Sequence, residues 1–197
     1  MIERMANDLV EQIAKEQLIS ERQREYYIYA CISIMEKITT IGTICIIGFM
    51  RDMFVHTLVF LVFFLALRKR TGGYHANSFV QCYLGTVIAY LIVAKVNETS
   101  SEHPQLFFGI LVVAICIIEI IGAVNHPNMH MNVAELLEAK KASRISALIE
   151  GCIIFSLAYA GVDMIFISYM SAAIILCATL LCTAKILKQE ISRNEKK

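Results

Sequence analysis

Residues 106–124 read LFFGILVVAICIIEIIGAV, nineteen consecutive positions with one charge, Glu119. A helix needs roughly 20 mostly apolar residues to cross the hydrocarbon layer of a bilayer, and this run begins just after Pro104, a residue suited to a helix start. The class that follows is an all-α integral membrane protein. Working outward, residues 164–187 are as strong, and 27–50, 53–67, 78–94 and 145–162 complete six proposed spans within one membrane domain, 1–197. The first is weakened by Glu36 and Lys37. The second, at 15 residues, is short enough to tilt or to reach only part of the way. The fifth and sixth are separated by Gly161, Val162 and Asp163, a tight hairpin.

Composition agrees with this class. Of 197 residues 57% are hydrophobic, against about 45–50% apolar in an ordinary soluble domain, and the mean hydropathy is +0.62. The formal net charge is +1, so no basic excess is available to pair with nucleic-acid phosphates. The seven cysteines are odd in number, contain no CxxC and fall mostly in apolar runs, which speaks against a disulfide framework or a zinc ribbon. Ahead of the first span, residues 1–18 place Ile2, Met5, Leu9, Val10 and Ile13 on one helical face with charges opposite. That is the pattern of an amphipathic helix lying at a lipid surface.

The basic residues set the orientation. The N-terminal arm holds four, residues 68–70 three, residues 140–144 three and the tail five, fifteen on one side, against Arg51 and Lys95 on the other. The positive-inside rule puts the fifteen, and both termini, in the cytoplasm of a multi-pass cell-membrane protein.

That count places the stretch RKRTGGYHANSFVQCYLG, residues 68–85, at the cytoplasmic face. Arg68, Lys69 and Arg70 suit anionic headgroups, Gly72 and Gly73 allow a sharp turn, and Asn77 or Ser78 can cap the next helix. Cys82 then sits one turn inside that helix. On one continuous helix, His75 and Cys82 would be about 10 Å apart along the axis; a break before Asn77 lets the histidine fold back towards the thiol. A helix N-terminus and an imidazolium both favour the reactive thiolate. Spacing alone leaves two readings open, a catalytic pair or a headgroup-anchoring histidine near a buried cysteine.

Three carboxylates, Glu36, Glu119 and Glu150, fall inside proposed spans, where acids are functional candidates by default. Counting from the span ends puts Glu119 and Glu150 at a depth similar to that of Cys82. Either could orient His75, or simply reach the interface. Gln81 could donate to an oxyanion or face another helix. His126 and His130 have i, i+4 spacing, but Pro127 and Asn128 make a turn there, and no metal site is expected. No cofactor is implied.

GGYHANSFVQC, residues 72–82, following a basic cluster, resembles the signature of the accessory gene regulator protein B family, membrane cysteine endopeptidases of bacterial quorum sensing. GAVNHPNMHMNVAELLEAKKASR, residues 122–144, resembles that family's cytoplasmic loop, departing from it at Ala123-Val124 and Met131-Asn132. The resemblance extends over nearly the whole chain. It implies His75 as general base and Cys82 as nucleophile, cutting the C-terminal part from a small precursor peptide through an acyl-enzyme thioester and closing a thiolactone or lactone ring. It also implies a precursor with an amphipathic N-terminal helix and an acidic C-terminal segment suited to Arg68, Lys69, Arg70, Lys140 and Lys141, and a homodimer. The alternative is a non-enzymatic transporter or peptide-export component, for which the three carboxylates would form a path.

Overall fold

The computed structural model describes residues 2–16, 21–74, 78–97, 103–125 and 131–188. Among them are seven helices and no strand: α1 (Ile2–Lys15), α2 (Glu21–Met50), α3 (Phe54–Thr71), α4 (Phe79–Asn97), α5 (Pro104–Ile121), α6 (Val133–Tyr159) and α7 (Met164–Ile186). Each of the six apolar runs falls in or against one helix. Five helices, all but α1 and α3, are long and apolar enough to cross a membrane. The exception among the runs, α3, ends in Arg68, Lys69 and Arg70. The fourteen residues before them, Phe54–Leu67, rise only about 21 Å, short of a hydrocarbon core of about 30 Å.

Short as it is, α3 is central. It packs most extensively on α7 and also touches α2 and α6, burying Thr57, Phe60, Leu61, Phe64 and Leu67. Six of the twelve buried α7 residues are small: Ser168, Ser171, Ala172, Ala173, Ala178 and Ala184. Small residues let helices approach closely where lipid supplies no hydrophobic drive. Gly151 on α6 shows how close: a Cβ there would stand 2.7 Å from Ile115 Cδ1 on α5.

Paired contacts give the register. Gly122 abuts Lys140, Arg144 reaches the Ile120 carbonyl, and the Phe108 and Phe155 rings stack at 5.6 Å, so α5 and α6 run antiparallel. By contrast His56 meets Phe166 and Tyr74 meets Leu180, so α3 and α7 run parallel. The C-terminal ends of α3, α5 and α7 therefore gather at one end of the bundle.

Two helix ends differ from the apolar runs, for local reasons. The fourth run continues to Val124, yet α5 stops at Ile121 because Gly122 turns to φ 74°. The fifth run begins at Ile145, yet α6 starts twelve residues earlier at Val133. The Asn132 side chain accepts from Glu135 N while the Glu135 carboxylate accepts from Asn132 N, a reciprocal capping box that satisfies two N-terminal donors. From there AELLEAKKA supplies strong helix formers. At the start of the chain, α1 packs on α2 with Ala6 and Val10 fully buried, while Met5 and Leu9 face outward.

At the opposite end of the bundle, Thr57 Oγ1 donates to Met53 O at 2.8 Å and lies 2.5 Å from the Tyr90 hydroxyl. The threonine has only one proton and has given it away, so the tyrosine is the donor. Both side chains are buried. Tyr90→Phe leaves Thr57 short of that donor and costs about 1–2 kcal/mol, to be read as a lower thermal midpoint of the detergent-purified protein.

Candidate active site

The basic end of α3 folds back upon the turn that follows it. The Arg68 guanidinium donates through Nη1 to Gly72 O and through Nη2 to Tyr74 O, the latter at 2.5 Å. Gly73, with φ 111°, occupies backbone space that L residues rarely enter. A Cβ on it would stand 3.2 Å from Leu180 O and closer still to Arg68 Nη1. The turn is tied to its neighbours as well: Tyr74 N donates to Leu180 O on α7, and Val124 N donates to Thr71 O, both at 3.1 Å. Thr71, Gly72, Gly73, Ala123 and Val124 are buried together.

Arg68, grouped in the sequence with Lys69 and Arg70 as a headgroup or substrate contact, turns inward in the fold. Its donors serve the chain's own carbonyls. Lys69 and Arg70 remain exposed, and Arg70 also donates to Ser146 Oγ on α6. Lys140 lays its stem against Gly122, and Lys141 is exposed. Lys69, Arg70, Lys140 and Lys141 thus form a basic rim at this end of the bundle.

The first turn of α4 completes the arrangement. Ser78 Oγ accepts from Gln81 N at 3.4 Å, the N-cap bond its hydroxyl was expected to offer. Cys82 is the fourth residue of the helix and is exposed, its backbone N donating to Ser78 O. Gln81 is exposed beside it. Two thiols lie on the elements next to this turn, Cys177 one turn before Leu180 on α7 and Cys82 in the first turn of α4. Cys177 is fully buried on α7 with its sulfur 3.8 Å from Phe64 O, so only Cys82 of the two is open to a reactant. Cys116 and Cys152 are also exposed, but from the middles of α5 and α6. His75 and Asn77, like His126 and His130, lie outside the described residues. Among the described residues no cluster of histidine, cysteine or carboxylate could hold a metal ion.

The expected common layer of acids is not formed. Glu119 lies three residues before Gly122 and Glu150 ten beyond Lys140, and those two reference residues abut. At the helical rise this contact puts Glu150 about 10 Å deeper than Glu119, and the Gly151–Ile115 contact about 5 Å deeper. The sequence reading missed this because it began the fifth span at Ile145. Glu119 is half-buried and Glu150 buried, and each has one carboxylate oxygen with no hydrogen-bond partner. Arg70 is the charge acting on Glu150, one turn along α6 from the Ser146 it binds. Burying a carboxylate without full pairing costs stability, so Glu150→Met is expected to raise it by about 1–2 kcal/mol. Thermal unfolding in detergent reads this directly. A drop instead means that Arg70 and Glu150 stabilise the fold as a pair.

Two bonds not foreseen close the segment between α5 and α6. Asn125 Nδ2 donates to Met131 O at 2.9 Å, and Met131 N donates to Asn125 Oδ1 at 3.1 Å.

The sequence profile of the accessory gene regulator B family matches residues 4–186. The chain belongs to that family. A relative in it, a putative AgrB-like protein of Clostridium perfringens (strain SM101 / Type A), is 28% identical over 123 residues, covering 62% of this chain and 56% of that protein. The match thus spans little more than half of that relative's length. No solved structure matches the chain. Accessory gene regulator B membership and five apolar helices agree on a multi-pass membrane protein.

Proposed function

We propose that this protein is a membrane cysteine endopeptidase that matures a quorum-sensing precursor peptide, with Cys82 as nucleophile and His75 as general base. The observation that carries the proposal is the exposed Cys82 in the first turn of α4, the helix that Ser78 caps soon after the turn braced by Arg68. Family membership supports the same reading.

The chemistry follows from these groups. His75 takes the Cys82 proton, and the thiolate attacks the scissile carbonyl of the bound peptide. The N–H groups at the α4 N-terminus and the Gln81 amide are the groups proposed to favour the oxyanion. Collapse breaks the C–N bond, and His75 returns its proton to the departing amine. The resulting thioester keeps the acyl group activated. A Cys or Ser side chain of the same peptide then attacks it, giving its proton to His75 and restoring the Cys82 thiolate as the ring closes. Holding that internal nucleophile close gives it the advantage over water. Lys69, Arg70, Lys140 and Lys141 suit an acidic C-terminal segment, and the positive-inside count puts this end in the cytoplasm. Glu119 and Glu150 stay as candidates for orienting roles at two different depths.

Co-expression with a candidate precursor peptide, one with an amphipathic N-terminal helix and an acidic C-terminal segment, tests the reading, with the product weighed by mass spectrometry. A ring has the mass of the linear fragment less one water. A product heavier by one water makes the protein a plain hydrolase, and an uncut precursor returns it to the export reading.

A further inference from the structure

We infer that the bundle end opposite Cys82 carries a second binding site, a cavity lined by Arg51, Met53, Ala94, Asn97, Ile165 and Tyr169 that takes the phosphate of an anionic phospholipid headgroup. It lies where α2 and α4 end and α3 and α7 begin. The fifteen residues from Cys82 to Asn97 along α4 set it about 22 Å from the thiol. The positive-inside count turns this end away from the cytoplasm.

The turn after α2 sets the cationic wall. Asp52 adopts a left-handed φ of 58°, its N–H donates to Phe49 O at 3.1 Å, and Met53 N donates to Gly48 O at 2.9 Å, a double closure that ends a helix sharply. Arg51 and Met53, on either side of Asp52, thereby both line the cavity. Asn97 comes from the end of α4 and Tyr169 from α7, each only 2% exposed. The volume, about 310 Å³, falls at the lower end of the range of small-ligand sites, about 300–1,000 Å³.

The lining selects the ligand. Its polar side chains are one guanidinium, one amide and one phenol, and among the described residues no carboxylate lines it. A guanidinium meets phosphate oxygens as a planar fork, and neutral N–H and O–H donors add to it. The nearby acids are placed otherwise: Asp163 Oδ1 accepts from Ile165 N, and Asp52 is exposed. An ammonium-bearing head finds no partner inside, so a head of net negative charge is preferred. Met53, Ala94 and Ile165 make the rest of the wall apolar. Next in sequence to the lining residues, Met50 and Phe54 are exposed, and the exposed Phe49 ring meets Phe54 edge to face at 6.3 Å. Apolar surface beside a phosphate-sized polar cavity suits acyl chains attached to that phosphate.

Native mass spectrometry of the full-length protein in detergent tests the site, with phosphatidylglycerol, phosphatidylcholine and inorganic phosphate as probes. The first phosphatidylglycerol is expected to bind about tenfold or more tighter than phosphatidylcholine, and about tenfold weaker in Arg51→Gln. Ile165→Trp, which fills the cavity and keeps the charge, is expected to weaken it as much; this half-buried position keeps the test decisive should Arg51→Gln fail to fold. Lys188→Gln, which removes an exposed cation at the opposite end, is expected to change nothing. If millimolar inorganic phosphate displaces the lipid from the wild-type protein, the phosphate group alone is recognised and the site stands with a soluble ligand as a second source. If it does not, the acyl chains contribute and the lipid is the ligand. Equal affinity for phosphatidylcholine, or wild-type affinity in either cavity variant, overturns the site.

Discussion

Cys82→Ser is expected to lower release of the precursor's C-terminal segment by roughly 10³-fold or more, and His75→Ala by roughly 10²–10⁴-fold. The serine substitution keeps the shape and exchanges a thiol, readily ionised, for a hydroxyl that needs far stronger activation. Because Cys82 is exposed, the change removes no buried packing. The histidine substitution leaves the nucleophile present but without its proton acceptor, so a residual rate that rises with pH belongs to the same account. The other cysteines provide the contrast. Cys116→Ser and Cys152→Ser alter thiols in mid-helix, away from the gathered ends of α3, α5 and α7, and are expected to leave cleavage within about twofold of wild type. Precursor cleavage in membranes, with protein level measured alongside, checks all four.

Gly73→Val carries the second large effect. With φ at 111° the backbone is in a region that costs an L residue about 1–3 kcal/mol, more when β-branched. The added carbons would also press on Leu180 O, a backbone atom that cannot step aside, and on the Arg68 guanidinium. The expected result is loss of the turn, a lower thermal midpoint and loss of cleavage together. Gly85→Ala is the matched control. It lies one turn beyond Cys82 on α4, has open space where a Cβ would go and no positive φ, so helix propensity alone acts. It is expected to stabilise by about 0.5–1 kcal/mol with cleavage retained. Thermal unfolding and cleavage of both variants, side by side, separate a conformational requirement from mere intolerance near the site.

These outcomes show which parts of the molecule a sequence can carry. Apolar length is a property of each segment by itself, so the runs that became α2, α4, α5 and α7 were legible with little more than hydropathy. The start of α6 was not read, because Val133–Arg144 is polar enough to pass for a loop, although Asn132 and Glu135 carry the spacing of the capping box they form. That shift of twelve residues then displaced Glu150 relative to Glu119. Ser78 was legible as a cap because the rule is local. Arg68 was not separable from Lys69 and Arg70, since three adjacent cations differ only in the direction each faces, and that direction is set by α7 and the turn. Gly72 and Gly73 were read as a turn; that Gly73 is also squeezed against Leu180 needed the third dimension.

The most direct measurement is intact detection of the acyl-enzyme. Precursor is mixed with the purified protein, quenched in acid within one turnover and digested with trypsin. Cleavage after Arg70 and Lys95 releases residues 71–95, which contain Cys82 as their sole cysteine. The account predicts that this peptide carries the N-terminal part of the precursor as a thioester, removable by hydroxylamine and missing when Cys82→Ser is used. Cleaved precursor with residues 71–95 unmodified, and cleavage that persists in Cys82→Ser, would contradict it.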